Sequence, residues 1–351
     1  MYVPEQADAP RSGMRGRLLA AGGALGAMAV LGLPVPAAAG DRAATPTVHC
    51  QITDARLAEL SGLVVVGDRM LALNDGGDQL AVYLLDAGCQ VIDVHTSTVD
   101  PYDPEDMAVA GDGTVWLADT GDNNSDRSTV ALLALRPNGS TGVYRLTYPD
   151  GPHDAEALLL APDGTPYLVT KEVLGASGVY RPASPLVDGG TVATDRIASV
   201  NLTFTGTPGG PVGQVGQVLV TGGAVAADGS RIALRTYTDA YVWPLTGSDV
   251  AGALTAAPIR VALPPSPQGE AISFTADNLN LMVASEGLPS DVAVVPVLTG
   301  PAEGSGAPPA NGPVPSLADF TDSGPSPITA AVIAAAVATV VVWVGGKLRR
   351  S

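Results

Sequence analysis

Asp103-Pro-Glu-Asp-Met-Ala-Val-Ala-Gly-Asp-Gly-Thr-Val-Trp-Leu-Ala-Asp-Thr-Gly-Asp-Asn-Asn-Ser-Asp-Arg127 is the stretch whose reading decides the fold. It contains an acidic turn, a short apolar strand, an Asp-Gly turn, a second apolar strand and a polar loop. Asp-Gly between two short apolar runs is a strong local signal for a β-hairpin, because glycine accepts the positive φ that a tight turn demands.

The same grammar recurs along the chain. A polar anchor, an apolar strand and an Asp seven positions on appear at Ser61 to Asp68, Glu105 to Asp112, Glu156 to Asp163, Thr221 to Asp228 and Glu270 to Asp277. The anchors are about 44 to 65 residues apart. Strand pairs repeating at that interval are the mark of propeller blades. The sequence therefore predicts an all-β fold, a β-propeller of five blades, with six as the alternative because the interval from Glu156 to Thr221 is the longest. The fifth repeat lacks an outer strand, and Thr47 to Ile52 is expected to supply it, closing the ring.

The 351 residues include 42 Gly and 30 Pro, which favours short elements joined by turns. The formal net charge of −17 argues against nucleic acid as a partner, since phosphate binding needs a basic surface. Arg11, Arg15 and Arg17 precede an apolar run and a small-residue site, so residues 1–39 read as a signal peptide. The propeller is expected over 47–300 and a Pro/Gly-rich stalk over 301–327. A transmembrane helix is expected over 328–346, with a basic cytoplasmic tail over 347–351. This gives an expected single-pass location at the cell membrane, with the propeller extracytoplasmic and the C-terminus inside.

In a four-stranded blade the start of the first strand and the end of the second share one face near the axis. That places Ser61, Glu105, Glu156, Thr221 and Glu270 around a channel mouth. Together with Asp106, Asp119 and Asp122, the acids Glu105 and Glu156 form a set of hard oxygen ligands of the kind calcium prefers. Asp122, Asn124 and Asp126 have the alternate spacing that opens an EF-hand loop, but Arg127 stands where that loop needs Gly and Leu133 where it needs Glu. The competing reading is that these Asp and Asn residues only form turns.

Lys171, Arg235, Arg127 and His153 are the candidate ligand-binding residues, as cations or a titratable ring in an acidic molecule. Structural ion pairing and a plain surface turn are the competing readings. Cys50 and Cys89 are the only cysteines; on the closing strand and an outer turn they either form a disulfide that clips the ring or remain separate thiols.

No Gly-x-Ser-x-Gly, Ser-x-x-Lys, His-Glu-x-x-His, Walker or Cys-x-x-Cys motif occurs, which removes support for the corresponding enzyme classes. The combination of Asp103-Pro-Glu-Asp-Met-Ala, Trp116-Leu-Ala-Asp-Thr-Gly-Asp-Asn with Arg127, His153-Asp-Ala-Glu-Ala and Tyr167-Leu-Val-Thr-Lys171 resembles exported bacterial β-propeller proteins of the Asp-x-Gly-Asp-Asn type. More distantly the chain is similar to phytase-like and esterase-like propellers. That resemblance implies acidic residues at the channel mouth binding calcium ions that hold a phosphate. The expected function is a membrane-anchored propeller that binds an extracytoplasmic ligand or protein partner at its acidic mouth. A calcium-dependent phosphoester or ester hydrolase is the alternative.

Overall fold

The computed structural model describes residues 45–77, 79–174 and 176–297. Over these the regular secondary structure is almost entirely β-strand, as its short alternating apolar runs and Asp-Gly turns require. The first group of strands is β2 (Leu60–Val66), β3 (Arg69–Asn74), β4 (Ala81–Leu85) and β5 (Val91–Thr96), after an N-terminal β1 (Thr47–Ile52). Then come β6 (Pro104–Val109), β7 (Val115–Asp119), β8 (Val130–Leu135) and β9 (Thr141–Thr147), followed by β10 (Ala155–Leu160), β11 (Pro166–Thr170), β12 (Ala176–Pro182) and β13 (Thr191–Asn201). A fourth group holds β14 (Val220–Val225), β15 (Arg231–Thr236), β16 (Asp239–Pro244) and β17 (Ile259–Ala262). The last holds β18 (Gln268–Phe274), β19 (Asn280–Glu286) and β20 (Ser290–Pro296).

Within each group consecutive strands pair antiparallel. Two groups are joined at their outer edges by a short parallel pairing of β13 with β9, so they form one eight-stranded sheet beside three four-stranded ones. The hairpin turns behave as their sequence demands: Gly113, Gly164 and Gly229, each following an Asp, have φ of 85°, 84° and 70°.

The first strands β2, β6, β10, β14 and β18 pack against one another in a closed cycle, the last returning to β2. This is the architecture of a β-propeller, with the sheets arranged around a central axis. Buried apolar residues form clusters between successive groups rather than one central core. One example is Leu73, Val82, Met107, Leu117 and Leu133 between the groups that begin at β2 and β6. Another is Leu159, Val169, Ile232, Leu234 and Trp243 between those that begin at β10 and β14. Each cluster is thus shared by two neighbours, and burial on both sides of every sheet is what holds the ring together.

The N-terminal strand β1 pairs antiparallel with β20, Ile52 opposite Ser290 and Thr47 opposite Val294. It completes the last four-stranded sheet with a strand from the other end of the described chain. Cys50 on β1 forms a disulfide with Cys89, which lies in the turn between β4 and β5. The bond therefore ties the closing strand to the neighbouring sheet. It closes a loop of 39 residues, and loop-closure entropy for that length gives about 4 kcal/mol as an upper figure. Reduction, or a Cys50→Ser/Cys89→Ser double substitution, is expected to lower unfolding stability by about 2–4 kcal/mol in denaturant titration. A loss below about 0.5 kcal/mol would mean that the strand is held by its ladder and apolar contacts alone.

The long interval before Thr221 is spent on a loop containing a 3₁₀ turn at Gly213–Gln217. Thr205 and Thr207 tether this loop by donating hydroxyl hydrogen bonds of 2.8 Å each to the buried Asp239 carboxylate. The expected membrane location requires correction. No helix among the described residues is long and apolar enough to cross a membrane. The one α-helix described, α1 (Val250–Thr255), has six residues, about 9 Å against a hydrocarbon layer of about 30 Å. The segments 1–39, 301–327, 328–346 and 347–351, on which the leader, stalk, span and tail rested, lie outside the described residues.

Candidate metal centre

The ladder between the first and second strands of every group slips near its start. The register shifts between Leu60 and Gly62, Pro104 and Asp106, Ala155 and Ala157, Val220 and Gly222, and Gly269 and Ile272. Each slip contains the repeat anchor: Ser61, Glu105, Glu156, Thr221 or Glu270, the last with Ala271 beside it. A β-bulge frees one residue from the ladder and re-aims its side chain, and it recurs next to binding sites. Two anchors use that freedom structurally. Ser61 Oγ donates to the Pro104 carbonyl at 3.1 Å, and Thr221 Oγ1 to the Gly269 carbonyl at 2.9 Å, each reaching the first strand of the next group. The three glutamates, once ionised, have no proton to donate in the same way, and their carboxyl groups gather at the mouth.

Glu105, Asp154 and Glu156 each bring one carboxylate oxygen to within 4.8 Å of the others. Glu105 and Glu156 are 6% and 3% exposed. Asp154 is positioned by neighbouring loops, its Oδ1 accepting the Asp122 N–H at 2.9 Å and its carbonyl the Lys171 N–H at 2.8 Å. Gly121 supplies the floor. A Cβ there would stand 2.2 Å from Glu105 Oε1 and 2.4 Å from Asp103 Oδ2, so only glycine admits both carboxylates. The Lys171 ammonium pairs with Glu156 Oε1, and lies 5.4 Å from the centre of the Tyr237 ring. The other oxygen, Glu156 Oε2, is buried with no hydrogen-bond partner.

The electrostatics follow from crowding acids in a dry place. Burial, then repulsion from Glu156, Asp103, Asp154 and Glu270, pushes Glu105 well above the ordinary carboxyl range. Glu156 is raised by burial against the opposing pull of Lys171, and Asp154 likewise. Asp103 is pushed up to about 6 by burial and by Asp154. On the other side of the mouth, Gln268 Nε2 donates to Glu270 Oε1 at 3.1 Å and to Glu286 Oε1 at 2.6 Å. Burial foremost raises Glu270 well above its usual value, Glu286 to about 7 and Asp75 to about 8. Burial alone would lower the Lys171 amine, yet Glu156, Tyr237, Asp154 and Glu270 hold it well above the lysine range.

The remaining sequence candidates have their own partners. Asp106 lies deeper on the axis, where it accepts N–H bonds from Leu158 on β10 at 2.8 Å, from Gly223 on β14 at 3.1 Å and from Met107 at 2.8 Å. Burial pushes it up to about 8 against those donors. Asp119 accepts the Tyr102 and Asp103 N–H groups and pairs with Arg127 at 3.1 Å. Arg127 also lies 4.4 Å from the centre of the Tyr102 ring and donates to the Gly121 carbonyl. Asp122 accepts the Asp126 and Arg127 N–H groups at 3.0 Å each, an arrangement that folds the polar loop back on itself. Arg235 is 1% exposed and donates to the main-chain carbonyls of Thr236, Ala271 and Ala284. His153 contacts Asp150 and Tyr180 through Nε2 at 3.0 Å each and Glu172 through Nδ1 at 3.3 Å.

Asp154, a member of the centre, and Asp103 beside it were missed by sequence reasoning. A signal for them exists. Both stand two positions before a glutamate anchor, in Asp-Pro-Glu and Asp-Ala-Glu, as Glu59 stands before Ser61 and Gln268 before Glu270. The polar residue at that offset lies on the mouth in the same way in neighbouring groups.

Fold and site together define a propeller-like all-β protein with a buried carboxylate centre at one end of its axis. No protein-family model matches the chain, and no curated protein does. Among solved structures the chain is similar to a gluconolactonase from Xanthomonas campestris, with 17% identity, 69% of this chain and 73% of that one covered, and a TM-score of 0.41. It is also similar to the PQQ-bound aldose sugar dehydrogenase from Streptomyces coelicolor, at 12% identity, 72% and 97% coverage and a TM-score of 0.38. A streptogramin B lyase follows at 10% identity, 72% and 97% coverage and a TM-score of 0.35. At these levels of similarity none of them bears on the site.

Proposed function

We propose that the protein is a five-bladed propeller, each four-stranded group being one blade, whose mouth binds a divalent cation and presents it to an anionic ligand or protein partner. The observation that carries this reading is Glu156 Oε2, a buried carboxylate oxygen without a partner, set among Glu105 and Asp154. An isolated buried carboxylate is strongly unfavourable, and a cation shared by three of them removes both the desolvation cost and the mutual repulsion. The donors are all oxygens, which suits calcium, magnesium or manganese rather than softer ions. Glu105, Asp154 and Glu156 are the protein's ligands in this reading; Gly121 keeps the space open, and Asp122 orients Asp154 through its N–H.

Calorimetric titration with calcium, magnesium and manganese tests the proposal. One ion per chain is expected to bind, with Glu156→Gln and Glu105→Gln each weakening binding by about tenfold to a hundredfold. If none of the three ions binds at millimolar concentration, the reading fails. Hydrolysis of a phosphoester or ester is the second reading, supported by the position of the Lys171 ammonium beside the ligand set, where it could steady an oxyanion held by the metal. Turnover of a phosphoester and ester panel by the metal-loaded protein, lost on addition of a chelator, separates an enzyme from a binder.

A further inference from the structure

Lys171 stands in an unusual position for a residue beside a metal centre. Its main chain is fixed, the N–H donating to the Asp154 carbonyl, while its side chain reaches Glu156 Oε1 and is 15% exposed. The two arginines near the mouth are committed elsewhere, Arg127 to Asp119 and the Gly121 carbonyl and Arg235 to main-chain carbonyls. Lys171 is therefore the ammonium that answers the charge of the Glu105, Asp154 and Glu156 group.

We propose that Lys171 is the internal competitor of the metal: its ammonium holds Glu156 through Oε1, and a divalent ion takes that carboxylate fully only when the ammonium withdraws. This rests on the divalent-cation reading of the centre. One oxygen of Glu156 is occupied and the other is unpartnered, so the carboxylate is already half committed to a positive charge. An ion placed among oxygens that lie within 4.8 Å of one another would sit a few ångströms from the ammonium nitrogen. Two positive charges that close in a partly dry site repel strongly. The ammonium can leave because lysine has a flexible four-carbon stem, and the segment beyond it is open, with Val173 and Leu174 at 65% and 88% exposure. Lys171 thus sets the affinity of the centre: it neutralises the acids when no ion is present and makes the ion compete for them.

The test is the affinity of the intact protein for calcium chloride and for manganese chloride, measured by calorimetry on the wild type, Lys171→Met and Lys171→Arg. Lys171→Met removes the charge and keeps the apolar stem. It is expected to bind at least one of the two ions about tenfold or more tightly than the wild type. Lys171→Arg keeps the charge and is expected to remain within about threefold of the wild type. A thermal melt of each variant, with and without ion, reports whether it is folded, and Lys171→Gln replaces Lys171→Met if the latter does not melt cooperatively. If the uncharged variant binds no more tightly than the wild type, or if Lys171→Arg gains as much, the competitor role is overturned while the metal centre stands. If neither wild type nor uncharged variant binds either ion, both readings fall together.

Discussion

In the presence of a chelator, the melting temperature of this protein is expected to fall as the pH is raised from about 4 to about 8. Most proteins gain or hold stability over that range. Here Asp103, Glu286 and Asp75 are raised to about 6, about 7 and about 8 from ordinary values of 3.8, 4.5 and 3.8. Glu105, Glu156 and Glu270 are raised further. A carboxyl group raised on folding binds more protons in the native than in the unfolded state between its two values. Stability is therefore fully present below the unfolded value and is lost as the pH rises through the folded one.

The carboxyl groups held low, such as Asp54 at about 2 through its Arg56 hydrogen bonds, and Asp163 and Asp228 in their turns, are ionised in both states above about pH 5, so they oppose the fall only at the lower edge of the range. If only two units of the combined upward shift act, the loss is about 2.7 kcal/mol. For a domain of this size that is about 5–10 °C. If the centre takes calcium as proposed, the ion added at about pH 8 is expected to restore the loss, because it would bind the ionised carboxylates of the folded protein and not those of the unfolded chain. Calorimetric melts across the range decide the matter. A melting temperature that rises from about pH 4 to about pH 8 without metal would show that the mouth acids are not held in a proton-binding cluster.

Replacing Arg235 by Met is expected to be the most damaging single substitution in the ring. The guanidinium lies on β15, and its Nη1 reaches the Ala271 carbonyl on β18 at 2.7 Å and the Ala284 carbonyl on β19 at 3.0 Å. It thereby fastens one sheet to the next. A Cβ on Gly269 would stand 2.0 Å from Nη2, so the neighbouring main chain is moulded to this side chain. Methionine leaves buried carbonyls without a donor, at a cost of about 3–5 kcal/mol. That corresponds to a fall in melting temperature of roughly 10 °C. Lysine should not rescue the protein, because a single ammonium on a shorter stem cannot serve the same spread of acceptors. Differential scanning calorimetry of both variants checks this. A shift of less than about 2 °C would mean the carbonyls find other donors.

The propeller-like ring was legible because its information is local and repeated. Alternating apolar residues, Asp-Gly turns and one polar anchor per repeat are properties of short segments, and the structure places all five anchors at the same slip in the ladder. The closing strand was legible for a similar reason, since the last group came up one strand short. What local pattern does not carry is which groups meet across the axis. Asp106 is adjacent to Glu105 in sequence, yet it accepts N–H groups from β10 and β14, and nothing within its own repeat records that. Arg235 reads in the sequence as a partner for acids or for a ligand, because the Ala271 and Ala284 carbonyls that it serves lie in the next group. Asp154 joins Glu105 only because two neighbouring first strands are packed side by side.

The pairing of β1 with β20 also orders events during synthesis. β1 is made first, but its hydrogen-bonding partner is among the last strands of the ring to be made, so its ladder edge stays unmatched for most of the chain's production. Cys89 is available far earlier than Ser290. A disulfide formed as soon as both cysteines exist would hold the early strand against the first sheet, beside the place where β20 later arrives. In that order of events the covalent link would act as a bookmark, keeping the seam of the ring open at the right page until the final strand is ready to fill it.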